Sequence, residues 1–88
     1  MLRVQPENLS KVTDDLVKRR SELRVFAKDT KETMNHLNEI WECDITKSYL
    51  ARYTRADTEL QELDNLFTEM IENINDLRDT LAKLMDKY

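Results

Sequence analysis

The side chains able to do chemistry in this 88-residue sequence are few and scattered. His36 is the only histidine and Cys43 the only cysteine. A lone thiol cannot form an internal disulfide or a zinc cluster, and one imidazole with scattered carboxylates makes a poor metal site. As a nucleophile Cys43 would need a base beside it, and His36 lies seven residues away across a joint in the chain. The pairs Asp14-Asp15, Arg19-Arg20 and Glu59/Glu62 read as solvated helix surface and pairing with neighbours. Tyr53 and Asp57 match a Tyr-x-x-x-Asp pattern that arises easily by chance. No arrangement here resembles an active site, and the expectation is a non-enzyme with no cofactor and no metal.

Composition narrows the class further. With no Gly, phosphate-cradling loops are absent, and so are Asn-Gly hairpin turns, which disfavours an all-β fold. Eighteen acidic against 14 basic residues give a net charge of −4, which argues against a nucleic-acid or anionic-membrane partner. No stretch approaches the roughly 20 apolar residues of a membrane span, and the start lacks the apolar run of a Sec-type signal peptide. The expectation is a chain made in the cytoplasm.

Two helices must position whatever functional residues exist. Leu9, Val12, Leu16, Leu23, Phe26, Leu37 and Ile40 fall on alternating spacings of 3 and 4, with Arg19, Thr30 and Thr33 as weak members. This predicts a helix over about 6–40, with Pro6 suited to its first turn and Glu7 to the positive end of its dipole. Tyr49, Tyr53, Ala56, Leu60, Leu63, Phe67, Met70, Ile74, Leu77, Leu81, Leu84 and Tyr88 step 4, 3, 4, 3 without a break and predict a second helix over about 45–88. Leu50, Leu66, Ile71 and Met85 widen that stripe, as in a helix with more than one neighbour. Between them, about 41–44, the registers do not join. Asp44 suits an N-cap, and a turn there lets the stripes face each other. The alternative is one rod about 120 Å long.

The expected fold is therefore all-α, a single antiparallel two-helix hairpin. A hairpin this thin leaves apolar surface uncovered, and two of them make a four-helix bundle. A homodimer would weigh about 21 kDa, twice the 10.5 kDa chain. The tyrosines and methionines on the stripe read as core. Arg19 reads as a packed stem with its head in water, or as an arm reaching a partner's carboxylate. Residues 1–40 carry a net +1 and residues 42–88 a net −5, which reads as a solvated acidic face or a preference for a basic partner. Trp41, the only Trp, stands at the joint. There it can plug the end of the bundle, the reading its chemistry favours, or act as an exposed recognition element.

Trp41-Glu42-Cys43 between two helices resembles the Trp-X-Gly (WXG) family, the early-secreted-antigen-like proteins exported by bacterial type VII secretion systems. The opening Leu2-Arg3-Val4-Gln5-Pro6-Glu7-Asn8-Leu9 is similar to the family's start, and Tyr49 and Tyr53 fall where it tends to place aromatics. The resemblance implies a homo- or heterodimeric four-helix bundle, with itself or a second WXG-like hairpin as partner. It also implies export through a type VII system and a secretion ATPase as a further partner. Two departures stand out. Cys43 occupies the family's Gly position, where a left-handed residue would cost Cys about 1–2 kcal/mol, so the turn is expected to be built differently. No Tyr-x-x-x-Asp/Glu lies in the last turns, and Tyr53 to Asp57 sits too early to take the export role. Two other classes fit a small acidic helical chain: a coiled-coil adaptor or needle-like secretion subunit, and, more distantly, a chorismate-mutase-like enzyme. The enzyme would need several cations converging on a dicarboxylate, and the stripe offers only Arg19.

Overall fold

A computed structural model describes residues 5–86, with the side chain of Asp86 excluded. Leu2, Arg3, Val4 and Tyr88, which carry part of the opening motif and the end of the second stripe, lie outside the described residues. Two helices, α1 (Pro6–Ile40) and α2 (Asp44–Asp86), pack against each other as a hairpin with extents of 68 × 18 × 17 Å. No strand occurs among the described residues.

The ends follow from local chemistry. Pro6 starts α1, where its missing N–H costs nothing, and Glu7 lies in the first turn. The Trp41 N–H closes the last turn of α1 on the Leu37 carbonyl at 2.9 Å, and its backbone then leaves the helix at φ −145°, ψ 81°. The Cys43 carbonyl accepts the first α2 bond, from the Lys47 N–H at 3.0 Å. Cys43 therefore holds the N-cap position expected for Asp44, which moves one place into the first turn. No described residue has positive φ, so the joint needs no left-handed residue and Cys43 sits in it without backbone strain.

Three hydrogen-bonded residue pairs join the helices. Arg20 Nη1 donates to Thr68 Oγ1 at 3.0 Å, Arg24 donates twice to the Asp64 carboxylate, and Arg78 Nη1 donates to Ser10 Oγ at 3.3 Å. Each residue number and its partner's sum to 88, so every level of α1 has a known counterpart on α2.

The contact face is rotated from the one the apolar stripes predict. Leu9, Leu16, Leu23 and Leu37 of α1, and Tyr53, Leu60, Phe67, Ile74 and Leu81 of α2, are half-buried, as is Thr30. The other half of the seam lies four residues after these rows, not three. It consists of Thr13, Arg20, Ala27 and Met34 on α1, and of Leu50, Asp57, Asp64, Ile71 and Arg78 on α2. Val12, Phe26, Ile40, Tyr49, Leu63, Met70, Leu77 and Leu84 are exposed. Tyr49 and Met70, expected in the core, are thus outside the hairpin seam. The polar pairing just described goes with this register, since Arg20, Asp64 and Arg78 stand on the +4 rows. Among the described residues Ile71 is the one apolar side chain that is buried, joined by the polar Thr13 and Thr46.

Candidate functional site

The hairpin has two unlike flanks. On a helix, side chains one residue after the shared row lie about 100° to one side of it, and those three residues after lie about 60° to the other. Ser10 and Arg24 on α1 and Thr68 on α2 belong to the first kind, and they take part in the cross-helix hydrogen bonds. These flanks of the two helices therefore converge on one side of the hairpin. The exposed rows must converge on the opposite side.

That opposite side is a lengthwise apolar face. Its levels lie within about one residue of the pairing sum, since Val12 with Leu77, Phe26 with Leu63 and Ile40 with Tyr49 each sum to 89. Between them, Arg19 lies beside Met70 and Thr33 beside Ala56. The layers repeat every seven residues, about 10.5 Å apart. Phe26 is 59% exposed and Leu63 38%, and Leu66 and Leu84 extend the apolar surface on α2. Arg19 is held on its own helix, with Nη1 3.2 Å from Glu22 Oε2 and Nε 3.8 Å from Asp15 Oδ1.

The joint adds a second patch. Trp41 is 55% exposed and stands beside Ile40 at 68% and Ile45 at 58%. Within the single hairpin the indole is exposed. Cys43 is half-buried and is a free thiol. Its Sγ lies 3.4 Å from Thr46 Oγ1, and Thr46 is 1% exposed. The Thr46 hydroxyl first, then the Thr46 and Ile45 backbone N–H groups, pull the thiol below its ordinary pKa. Glu42 is exposed.

The polar side holds an open groove of about 440 Å³, lined by Arg24, Lys28, Lys31, Asp57, Gln61 and Asp64 over Leu23, Ala27, Leu60 and Asn65. Ala27 leaves the space, because no longer side chain fills that level of the seam. Arg24 is committed to Asp64, at 2.7 and 3.1 Å, and this pair is what holds the Asp64 carboxyl below the usual range. Gln61 donates to Asp57 at 3.0 Å. The Tyr53 hydroxyl is buried beside Asp57 without a well-aligned hydrogen bond. Burial first, and the Asp57 charge second, push the phenol up.

His36 is exposed, with Nδ1 3.9 Å from Glu39 Oε2 on its own helix. No group of three metal-ligating side chains occurs among the described residues, and no described helix is long and apolar enough to cross a membrane. The cross-helix cations Arg20, Arg24 and Arg78 escaped the sequence reading, because a charged residue in an apolar register looks like a solvated face. Comparison with protein-family models, with curated proteins and with solved structures returns no match.

Proposed function

We propose that this chain is a non-catalytic interaction protein that buries its apolar face against a second helical hairpin, forming a four-helix bundle. In this reading it serves as a WXG-type substrate or co-substrate of a type VII secretion system, made in the cytoplasm and exported without a Sec-type signal. The seam residues hold the hairpin, and the exposed rows of the stripes, Phe26, Leu63 and Met70 among them, pack the bundle. Trp41, with Glu42 and Cys43 in the turn, offers a surface for a secretion ATPase or a partner. The supporting observation is the combination of a lengthwise exposed apolar face with an exposed Trp at the hairpin tip. Contiguous apolar surface of this kind on a small chain marks an interaction site.

The test is export from a host carrying the secretion system, with and without its ATPase, for wild type and Trp41→Ala. The account expects ATPase-dependent export that Trp41→Ala reduces at least tenfold while leaving the solution mass unchanged. Undiminished export of the variant overturns the role of Trp41, and ATPase-independent export overturns the secretion reading. A needle-like subunit is the second reading, favoured by apolar side chains at both ends, Trp41 and Ile45 at the tip and Met85 at the other. Such a subunit would polymerise, and light scattering would show mass growing with concentration.

A further inference from the structure

We propose that the groove on the polar side binds a short apolar peptide with both termini free, a dipeptide in size, its ammonium at Asp57 and its carboxylate at Lys28 and Lys31. The groove faces away from the exposed apolar rows. The site therefore stands whether or not a second hairpin covers those rows.

The charges come first. Asp57 and Asp64 are the half-buried carboxylates that line the groove, seven residues apart on one row of α2. Their surroundings differ. The pairing sum of 88 sets Arg24 opposite Asp64, and a fork of two hydrogen bonds closes that pair. The same sum sets Lys31 opposite Asp57, and that pair is open. Neither Lys31 nor Lys28 takes part in an ion pair among the described residues. The hydrogen bond that Asp57 accepts comes from Gln61, a neutral amide on its own helix. A carboxylate drawn partly out of water is best stabilised by a cation that also donates hydrogen bonds, and an ammonium group supplies both. With Arg24 and Asp64 neutralising each other, two ammonium groups face one carboxylate across the groove. A ligand of a single sign meets repulsion from one wall. A zwitterion meets attraction from both.

The floor and the dimensions set the rest. Leu23, Ala27 and Leu60 make an apolar base between the charged walls. Ala27 ends at its Cβ and leaves room above it. The space of about 440 Å³ falls within the roughly 300–1,000 Å³ of small-ligand sites. An aliphatic side chain laid on this base leaves water, which favours apolar residues in the ligand. The termini of an extended dipeptide lie about 7 Å apart. That reach suits walls carried by two helices whose axes lie about 8–10 Å apart. The Arg24–Asp64 fork stands at one end of the groove, and Lys31 lies only about 10.5 Å further along α1. This length limits the ligand to a few residues.

The test is a titration of the full chain, labelled with nitrogen-15, with the dipeptide Leu-Leu, read from backbone amide shifts. Beside it run the N-acetylated form, which lacks the ammonium, and the C-amidated form, which lacks the carboxylate. Saturable shifts centred on Lys28, Lys31, Asp57 and Gln61 are expected for Leu-Leu, with binding weakened about fivefold or more by either cap, as for a lost charge-assisted contact. Asp57→Asn should weaken Leu-Leu by a similar factor and leave the N-acetylated form unchanged. Ala27→Leu fills the floor without touching a charge and keeps a strong helix former. It should remove the saturable shifts while the helical circular dichroism stays as in wild type. No saturable shift with wild type overturns the proposal. Equal binding of the capped forms overturns the zwitterion, and undiminished binding by Ala27→Leu overturns the groove as the site.

Discussion

At the scale of single residues, the hairpin relies on a few polar pairs set among half-buried aliphatic side chains. Arg24 and Asp64 are the clearest, with two hydrogen bonds in a fork. Because the folded carboxyl of Asp64 lies below its ordinary range, its contribution is present above about pH 4 and is lost as pH falls through the lowered value. Asp64→Asn is expected to lower Tm by roughly 2–5 °C at pH 7, within the range of partly exposed pairs, and to flatten the acid limb of stability below pH 4. Thermal melts at pH 7 and pH 3 check this. An equal loss at both pH values would mean packing, not the ion pair. Cys43 gives a second readout. Its lowered thiol should react with iodoacetamide at pH 7.5 faster than its Thr46→Val counterpart by roughly 2–5-fold, because that substitution removes the hydroxyl nearest the sulfur. Equal rates would remove the hydroxyl as the cause.

At the scale of elements, the two helices and their joint are legible in the sequence, because Pro6 opens α1 and two long apolar periods meet out of register near residue 41. The side that each helix turns to the other is less legible. A heptad stripe contains one row that serves in either register, and Leu16, Leu23, Leu60 and Phe67 are on it. Whether the second row lies three or four residues on depends on pairing between chains of atoms far apart in sequence. Arg20 with Thr68 and Ser10 with Arg78 settle it at four, and neither pair has an apolar signature. The candidate surface was visible as residues but not as a surface: Phe26, Leu63 and Met70 belong to the apolar pattern, yet only their exposure separates them from the seam. Trp41 was visible by position, and its exposure was not. Ile71, the one buried apolar side chain described, is the natural probe of the seam. Ile71→Ala should cost about 2–4 kcal/mol in urea unfolding. A loss below about 1 kcal/mol would mean that the seam is loosely packed and the helices are joined otherwise.

At the scale of the whole molecule, the hairpin is slender. Its radius of gyration is 19.7 Å, against about 12 Å for a compact domain of this length. Under the proposed bundle, burying the apolar face is coupled to folding, and Tm should rise with protein concentration, as it does for any assembly that binds only the folded state. Phe26→Glu places a charge at the centre of the face, away from the hairpin seam. It should abolish assembly while leaving the seam residues unchanged. The most direct measurement of the account is the solution mass by size-exclusion light scattering, in reducing buffer at micromolar concentration, for wild type and Phe26→Glu. The account predicts about 21 kDa, twice the 10.5 kDa chain, for wild type and the single-chain mass for the variant. A folded wild-type chain at 10.5 kDa, or a variant that still pairs, would contradict it.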